Sequence, residues 1–200
     1  MELRQQIPDL SAYLAADAAI DHGHPLVMET AAQLRADHPG AYSYAKGAYE
    51  FVRDAIAHSA DSGDTRVTWR ASDVLALGTG ICHAKSHALA ALLRAAGIPT
   101  ALCYQRLTDE DGSNPMVHGL VAIRLPGTSG WARQDPRGNI PGLVDAQFST
   151  GEERLAWPVR PECSEVDYPV LFAAPHPAVL TALQTAPDRP ALWRTLPTDI

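Results

Sequence analysis

The apolar positions of this chain change period once, near residue 97. Before that point they recur at helical spacing; after it they fall in short runs separated by turn residues. LSAYLAADAAI (10–20), rich in alanine and leucine, predicts a first helix capped by Ser11. A second is expected after Pro25, with Val27, Met28, Ala31 and Leu34 on one face and an end at His38-Pro39-Gly40. A third, from about Ser43 to His58, turns Ala48, Phe51, Val52, Ala55 and Ile56 inward. The polar SADSGDT reads as a loop, and Ser72 as the cap of a short helix through Val74 and Leu77 that Gly78 and Gly80 break. A fourth long helix opens at Cys82, carries Ala84, Leu89, Leu92 and Leu93, and stops at Gly97-Ile98-Pro99.

Beyond Pro99, TALCYQRL, VHGLVAIRL, WARQD and GLVDAQF are short and rich in β-branched and aromatic residues. DGSNP, PGTSG and PRGNIP separate them, which predicts an antiparallel meander. Prolines then multiply from Pro158 to Pro190, so residues from about 155 to 200 are expected to wrap the molecule with one short helix at Ala178–Gln184. Helices first and strands second make the fold class α+β, and residues 1–200 read as one domain.

Composition narrows the function classes. With 46% hydrophobic and 20% charged residues the chain has material for a core. A formal net charge of -7 and scattered Lys and Arg argue against nucleic-acid binding, which needs a concentrated basic surface. No basic region followed by an apolar run opens the chain, and no stretch approaches the roughly 20 apolar residues of a membrane span. The three cysteines would leave one over in a disulfide framework and match no CxxC zinc spacing. A reduced, cytoplasmic setting is the expectation, with no cofactor, metal, nucleic acid or membrane as partner.

The chemistry concentrates on Cys82. At the start of a helix its sulfur meets unpaired N–H groups and the positive end of the helix dipole, which favours the thiolate. His118 falls on a predicted strand and Asp135 ends the next, so neighbouring antiparallel strands can bring them together. A strand histidine or a turn aspartate alone is ordinary. A thiol, an imidazole and an orienting carboxylate in this order supply the nucleophile, base and orienter of acyl transfer. Gln105, on the strand after the Cys82 helix, and Trp69 are the side-chain candidates to stabilise an oxyanion, beside the Cys82 backbone N–H. His83 and His87 stand four apart but lack the glutamate of HExxH and a third ligand, so no metal is expected. Asp54, His58 and Asp61 read as caps and surface groups, and Arg137-Gly138-Asn139 as a turn in which glycine takes a positive φ.

GICHAKSHALAALLRAAGIPTALCYQRL, VHGLVAIRL and GWARQDPRGN resemble the three core motifs of the transglutaminase-like superfamily. The resemblance covers about residues 50–150 and implies a papain-related α+β fold with Cys82, His118 and Asp135 as a triad, in a small single-domain member of prokaryotic type. Trp131, Asp135 and Pro136 match the third motif. Gly119 and Leu120 depart from the aromatic that often follows the family's histidine, and no acidic run matches the calcium sites of the animal enzymes. The implied activity is a thiol-dependent hydrolase or acyltransferase acting on a peptide or other amide through a Cys82 thioester, as in a cysteine peptidase. Amide formation with an incoming amine, or a non-catalytic binding protein that keeps the fold, are the alternatives.

Overall fold

The computed structural model describes residues 1–200 and has the expected α+β order of helices followed by an antiparallel sheet. A two-residue strand β1 (Arg4–Gln5) and a 3-10 turn (Leu10–Leu14) precede the helices α1 (Pro25–Asp37) and α2 (Ala41–Ala55). A short strand β2 (Ala57–His58), one turn of helix α3 (Ser59–Ser62) and helix α4 (Ala71–Leu77) follow. Strand β3 (Thr79–Gly80) leads into the long helix α5 (Cys82–Ala95). The sheet strands are β4 (Thr100–Leu107), β5 (Met116–Ile123), β6 (Ala132–Gln134) and β7 (Val166–Asp167). Strand β8 (Val170–Leu171) and helices α6 (Pro177–Thr185) and α7 (Arg189–Trp193) complete the chain. The sheet order is β6-β5-β4-β7, antiparallel throughout. No helix is long and apolar enough to cross a membrane.

Helix α5 lies at the centre because its sequence offers no solvent face: every residue from His83 to Arg94 is buried. Leu89, Leu92 and Leu93 pack with Val27, Ala31 and Leu34 of α1, Ala48 and Val52 of α2, and Leu102, Tyr104, Val121 and Ile123 of the sheet. Its two buried cations are satisfied by backbone carbonyls. Arg94 donates to Thr100 O at 3.1 and 2.7 Å, Ala15 O at 2.6 Å and Ala173 O at 2.7 Å, tying both chain ends to the sheet. Lys85 donates to Arg53 O at 3.2 Å and to Ile56 O, filling carbonyls at the C-terminal end of α2 that no helical N–H reaches. The opposite sheet face carries a smaller core of Ala101, Cys103, Leu120, Ala122, Tyr13 and Leu171.

Several sequence expectations are corrected. Residues 10–20 form only a 3-10 turn, because carboxylates take the backbone donors a helix would use: Asp9 accepts from Ser11 N at 2.9 Å, and Asp17 from Ala19 N and Ile20 N, both at 2.7 Å. Ser72 caps nothing; its backbone N and hydroxyl both reach Asp21, at 3.1 and 2.5 Å. Met28 and Ala55 face solvent rather than the core. GLVDAQF is not a strand. Asn139 accepts from Ala146 N at 2.7 Å and donates to Ala146 O at 3.3 Å, closing the segment on itself. The place beside β4 is taken instead by β7, from the proline-rich tail. That tail is also more regular than expected, with two strands and two helices.

Candidate active site

Strands β2 and β3 pair in parallel, with His58 opposite Gly80, and this pairing delivers the chain to the start of α5. Glycine is required at 80: a Cβ there would stand 2.9 Å from both Ala84 Cβ and Thr68 Oγ1. Two residues on, Cys82 is the first helical residue, after an Ile81 N-cap whose side chain caps nothing. The N–H groups of the first turn, Cys82's included, therefore have no helical acceptor, and the sulfur sits at the positive end of a buried helix. Cys82 is half-buried, whereas Cys103 is buried and that burial pushes its thiol up.

His118 lies on β5 and Asp135 is the residue after β6, so the sheet brings together two residues 17 positions apart. The imidazole Nε2 is 2.8 Å from Asp135 Oδ2. His118 is 7% exposed and Asp135 fully buried. The carboxylate is saturated by backbone as well, with Arg137 N 3.1 Å from Oδ1 and Ala156 N 3.2 Å from Oδ2. Tyr49 of α2 fixes the same residue by donating to Asp135 O at 3.0 Å. With Nε2 held by Asp135, Nδ1 is the nitrogen that faces the Cys82 thiol.

The electrostatics follow from this stacking. Burial alone would raise the Cys82 thiol, but the adjoining His83, His118 and His58 rings outweigh it and hold the thiol well below its ordinary range. His83 is itself kept neutral by burial, so the charge that stabilises a thiolate is that of His118. Burial would lower His118; the Asp135 and Cys82 charges outweigh it and raise the imidazole. Asp135 is likewise depressed against its burial by His118 and the two backbone donors. A thiolate, an imidazolium and a carboxylate are the mutually consistent charge states.

Gln105 lies opposite His118 in the β4–β5 register, on the same sheet face, and is buried. Both of its amide hydrogens are engaged, by Trp157 O at 3.2 Å and Asp167 Oδ1 at 2.9 Å, so neither is free for an oxyanion. Trp69 holds His87 through its carbonyl, 2.8 Å from Nδ1, more than a turn along α5 from Cys82. His83 donates from Nε2 to Val117 O at 2.9 Å. The two helix histidines are thus spent on backbone carbonyls, and no group of three or more His, Cys, Asp or Glu could hold a metal ion.

The reading of His58 as a surface group fails, while Asp61 is exposed as expected. His58 is buried at 7% exposure and its ring meets the Cys82 thiol. Asp61 stands 3.6 Å from its Nδ1 and accepts a bidentate pair from Arg137, at 2.7 and 2.8 Å. Arg137 is therefore more than a turn residue, though Gly138 beside it does take the expected positive φ of 113°. Asp54, by contrast, is the surface group expected, exposed and paired with Arg53 at 2.7 Å. Only the lone histidine between two apolar residues and a serine, in IAHS, hinted at this in the sequence.

A family model described as the transglutaminase-like superfamily matches residues 28–136. Four chains among solved structures match. One, from Cytophaga hutchinsonii and described as a "putative cysteine protease", superposes with a TM-score of 0.54 at 18% identity, over 66% of this chain and 43% of that one. The likeness at that identity is one of fold, and this chain spans less than half of that structure's length. No curated protein matches.

Proposed function

Because the chain belongs to the transglutaminase-like superfamily, we propose that it is a thiol-dependent enzyme that cleaves or transfers the acyl group of a peptide or other amide through a thioester on Cys82. The observation that carries this reading is the buried His118–Asp135 pair, 2.8 Å apart, presented to a thiol at a helix N-terminus. In this reading the Cys82 thiolate attacks the amide carbonyl carbon, forming a C–S bond while the carbonyl π electrons move to oxygen. The tetrahedral adduct collapses by breaking the C–N bond, and the departing amine takes the proton held on His118 Nδ1. Water, or an incoming amine, then attacks the thioester while the neutral His118 takes its proton. Collapse of the second adduct breaks the C–S bond and returns the thiolate. Asp135 keeps the ring in orientation throughout, through Nε2.

The test uses p-nitrophenyl acetate as acyl donor. The protein should release a burst of p-nitrophenolate and gain one acetyl group, mapped by mass to Cys82, and Cys82→Ser should lose both. An equal burst from Cys82→Ser, or acetylation confined to other residues, would refute the assignment of the nucleophile.

A further inference from the structure

A second imidazole adjoins the nucleophile, from an element that neither motif strand supplies. His58 ends β2, and its partner in the parallel register is Gly80, two residues before Cys82. Its ring is buried and Nδ1 has no hydrogen-bond partner; the nearest carboxylate oxygen, Asp61 Oδ1, is 3.6 Å away. With the Nδ1 edge turned toward Asp61, Nε2 is the nitrogen left for the nucleophile's side. Arg137 clamps Asp61 by two hydrogen bonds, and the backbone N of the same arginine donates to Asp135. One arginine therefore joins the carboxylates behind both imidazoles, so His58 and His118 flank the thiol from opposite pairs of elements.

Building on the acyl-enzyme reading above, we infer that His58 is the side-chain donor that, with the Cys82 backbone N–H, stabilises the oxyanion of the tetrahedral adduct. After attack the substrate oxygen is two bonds from sulfur. A ring placed opposite Gly80, two residues before the nucleophile, is thus within a small shift of that oxygen once negative charge moves onto it. The need for such a donor is real at this site: Gln105, the candidate opposite His118, has no hydrogen to spare. The donor is also buried before substrate arrives, with Asp61, itself clamped by Arg137, 3.6 Å from its Nδ1, so little reorganisation accompanies the reaction.

Two probes separate this role from mere support of the thiolate. Iodoacetamide alkylates by displacement at a saturated carbon and forms no oxyanion; p-nitrophenyl acetate acylates through one. The ratio of acetylation to alkylation rate at Cys82, measured at one pH, cancels the thiolate fraction. His58→Ala should lower that ratio by about 10²–10³-fold, the scale for loss of one oxyanion donor, and His58→Gln, which restores an N–H, should recover part of it. His58→Phe keeps a ring without a donor and should match His58→Ala, giving the comparison if the alanine variant fails to fold. An unchanged ratio in the Ala or Phe variants, with acetylation and alkylation slowed together, overturns the inference while leaving the acyl-enzyme intact. A parent protein that is alkylated at Cys82 but never acetylated overturns the acyl-enzyme itself, and this role with it.

Discussion

The glycine after His118 is explained by a histidine on the facing helix, and replacing it has a calculable consequence. A Cβ at Gly119 would lie 3.0 Å from His83 Cε1, 3.1 Å from Cγ and closer still to Nδ1. The ring cannot simply turn aside. Its Nε2 is bonded to Val117 O at 2.9 Å, and it packs against Tyr104 with ring centroids 6.0 Å apart. Gly119→Ala must therefore push α5 away from β5 or break that hydrogen bond. Over-packing a core costs about 1–3 kcal/mol, and leaving a buried carbonyl unpaired about 1–3 kcal/mol more. The variant should lose about 2–6 kcal/mol in equilibrium urea unfolding with an unchanged m value, by adding these two ranges. His83→Ala opens the space, so the double variant should be more stable than the sum of the single losses predicts, by at least about 1 kcal/mol. A Gly119→Ala protein within about 0.5 kcal/mol of the parent, or strict additivity, would refute the clash. The same separation of α5 from β5 would draw Cys82 away from His118, so alkylation at neutral pH should slow in Gly119→Ala as well.

Two further predictions concern the thiols and the proton balance. Under limiting iodoacetamide near neutral pH, peptide mapping should find Cys82 labelled first, the part-exposed Cys163 slowly and the buried Cys103 not until unfolding; Cys163 or Cys103 reacting ahead of Cys82 would sink the nucleophile. The fold raises His118 above its ordinary 6.5 and lowers Cys82 below its ordinary 9.0, so the native pair holds one proton where the unfolded chain holds two below that window, one inside it and none above. The pair's contribution to stability should thus rise with pH to about 6.5, stay flat to about 9 and then fall, whereas Cys82→Ser, which leaves only the raised imidazole, should decline from about pH 6.5 upward. Urea midpoints against pH check both curves, and identical profiles for parent and variant would mean that no thiolate–imidazolium pair forms.

How much of this was legible in the sequence depends on the range of the interactions. Helix α5 was readable to its ends, because its alanine- and leucine-rich stretch favours a buried helix and Gly97-Ile98-Pro99 stops one. Strands β4 and β5 were readable for the same local reason, and with them the partnership of His118 and Asp135 across neighbouring strands. Failures occurred where one side chain decided the backbone. Asp9 and Asp17 took the donors of an expected helix, and Asn139 took those of an expected strand. Composition alone weighs such residues as average polar groups, so it reads propensity where a single hydrogen bond rules.

His58 escaped for a different reason. Nothing local marks Ala57–His58 as a strand: two residues carry no period, and the segment exists only because Gly80, more than twenty positions later, offers it a parallel edge. Its burial, its approach to Cys82 and its nearness to Asp61 all depend on that pairing and on Arg137, which the third motif supplies from far along the chain. The conserved geometry of an acyl-transfer site needs a nucleophile, a base with its orienter, and donors for the oxyanion. The nucleophile and base stand on long elements whose patterns announce them, and the orienter follows the next strand in the meander. The donor stands on the shortest element in the neighbourhood, so it becomes visible only once the strands and helices that meet around Cys82 are assembled.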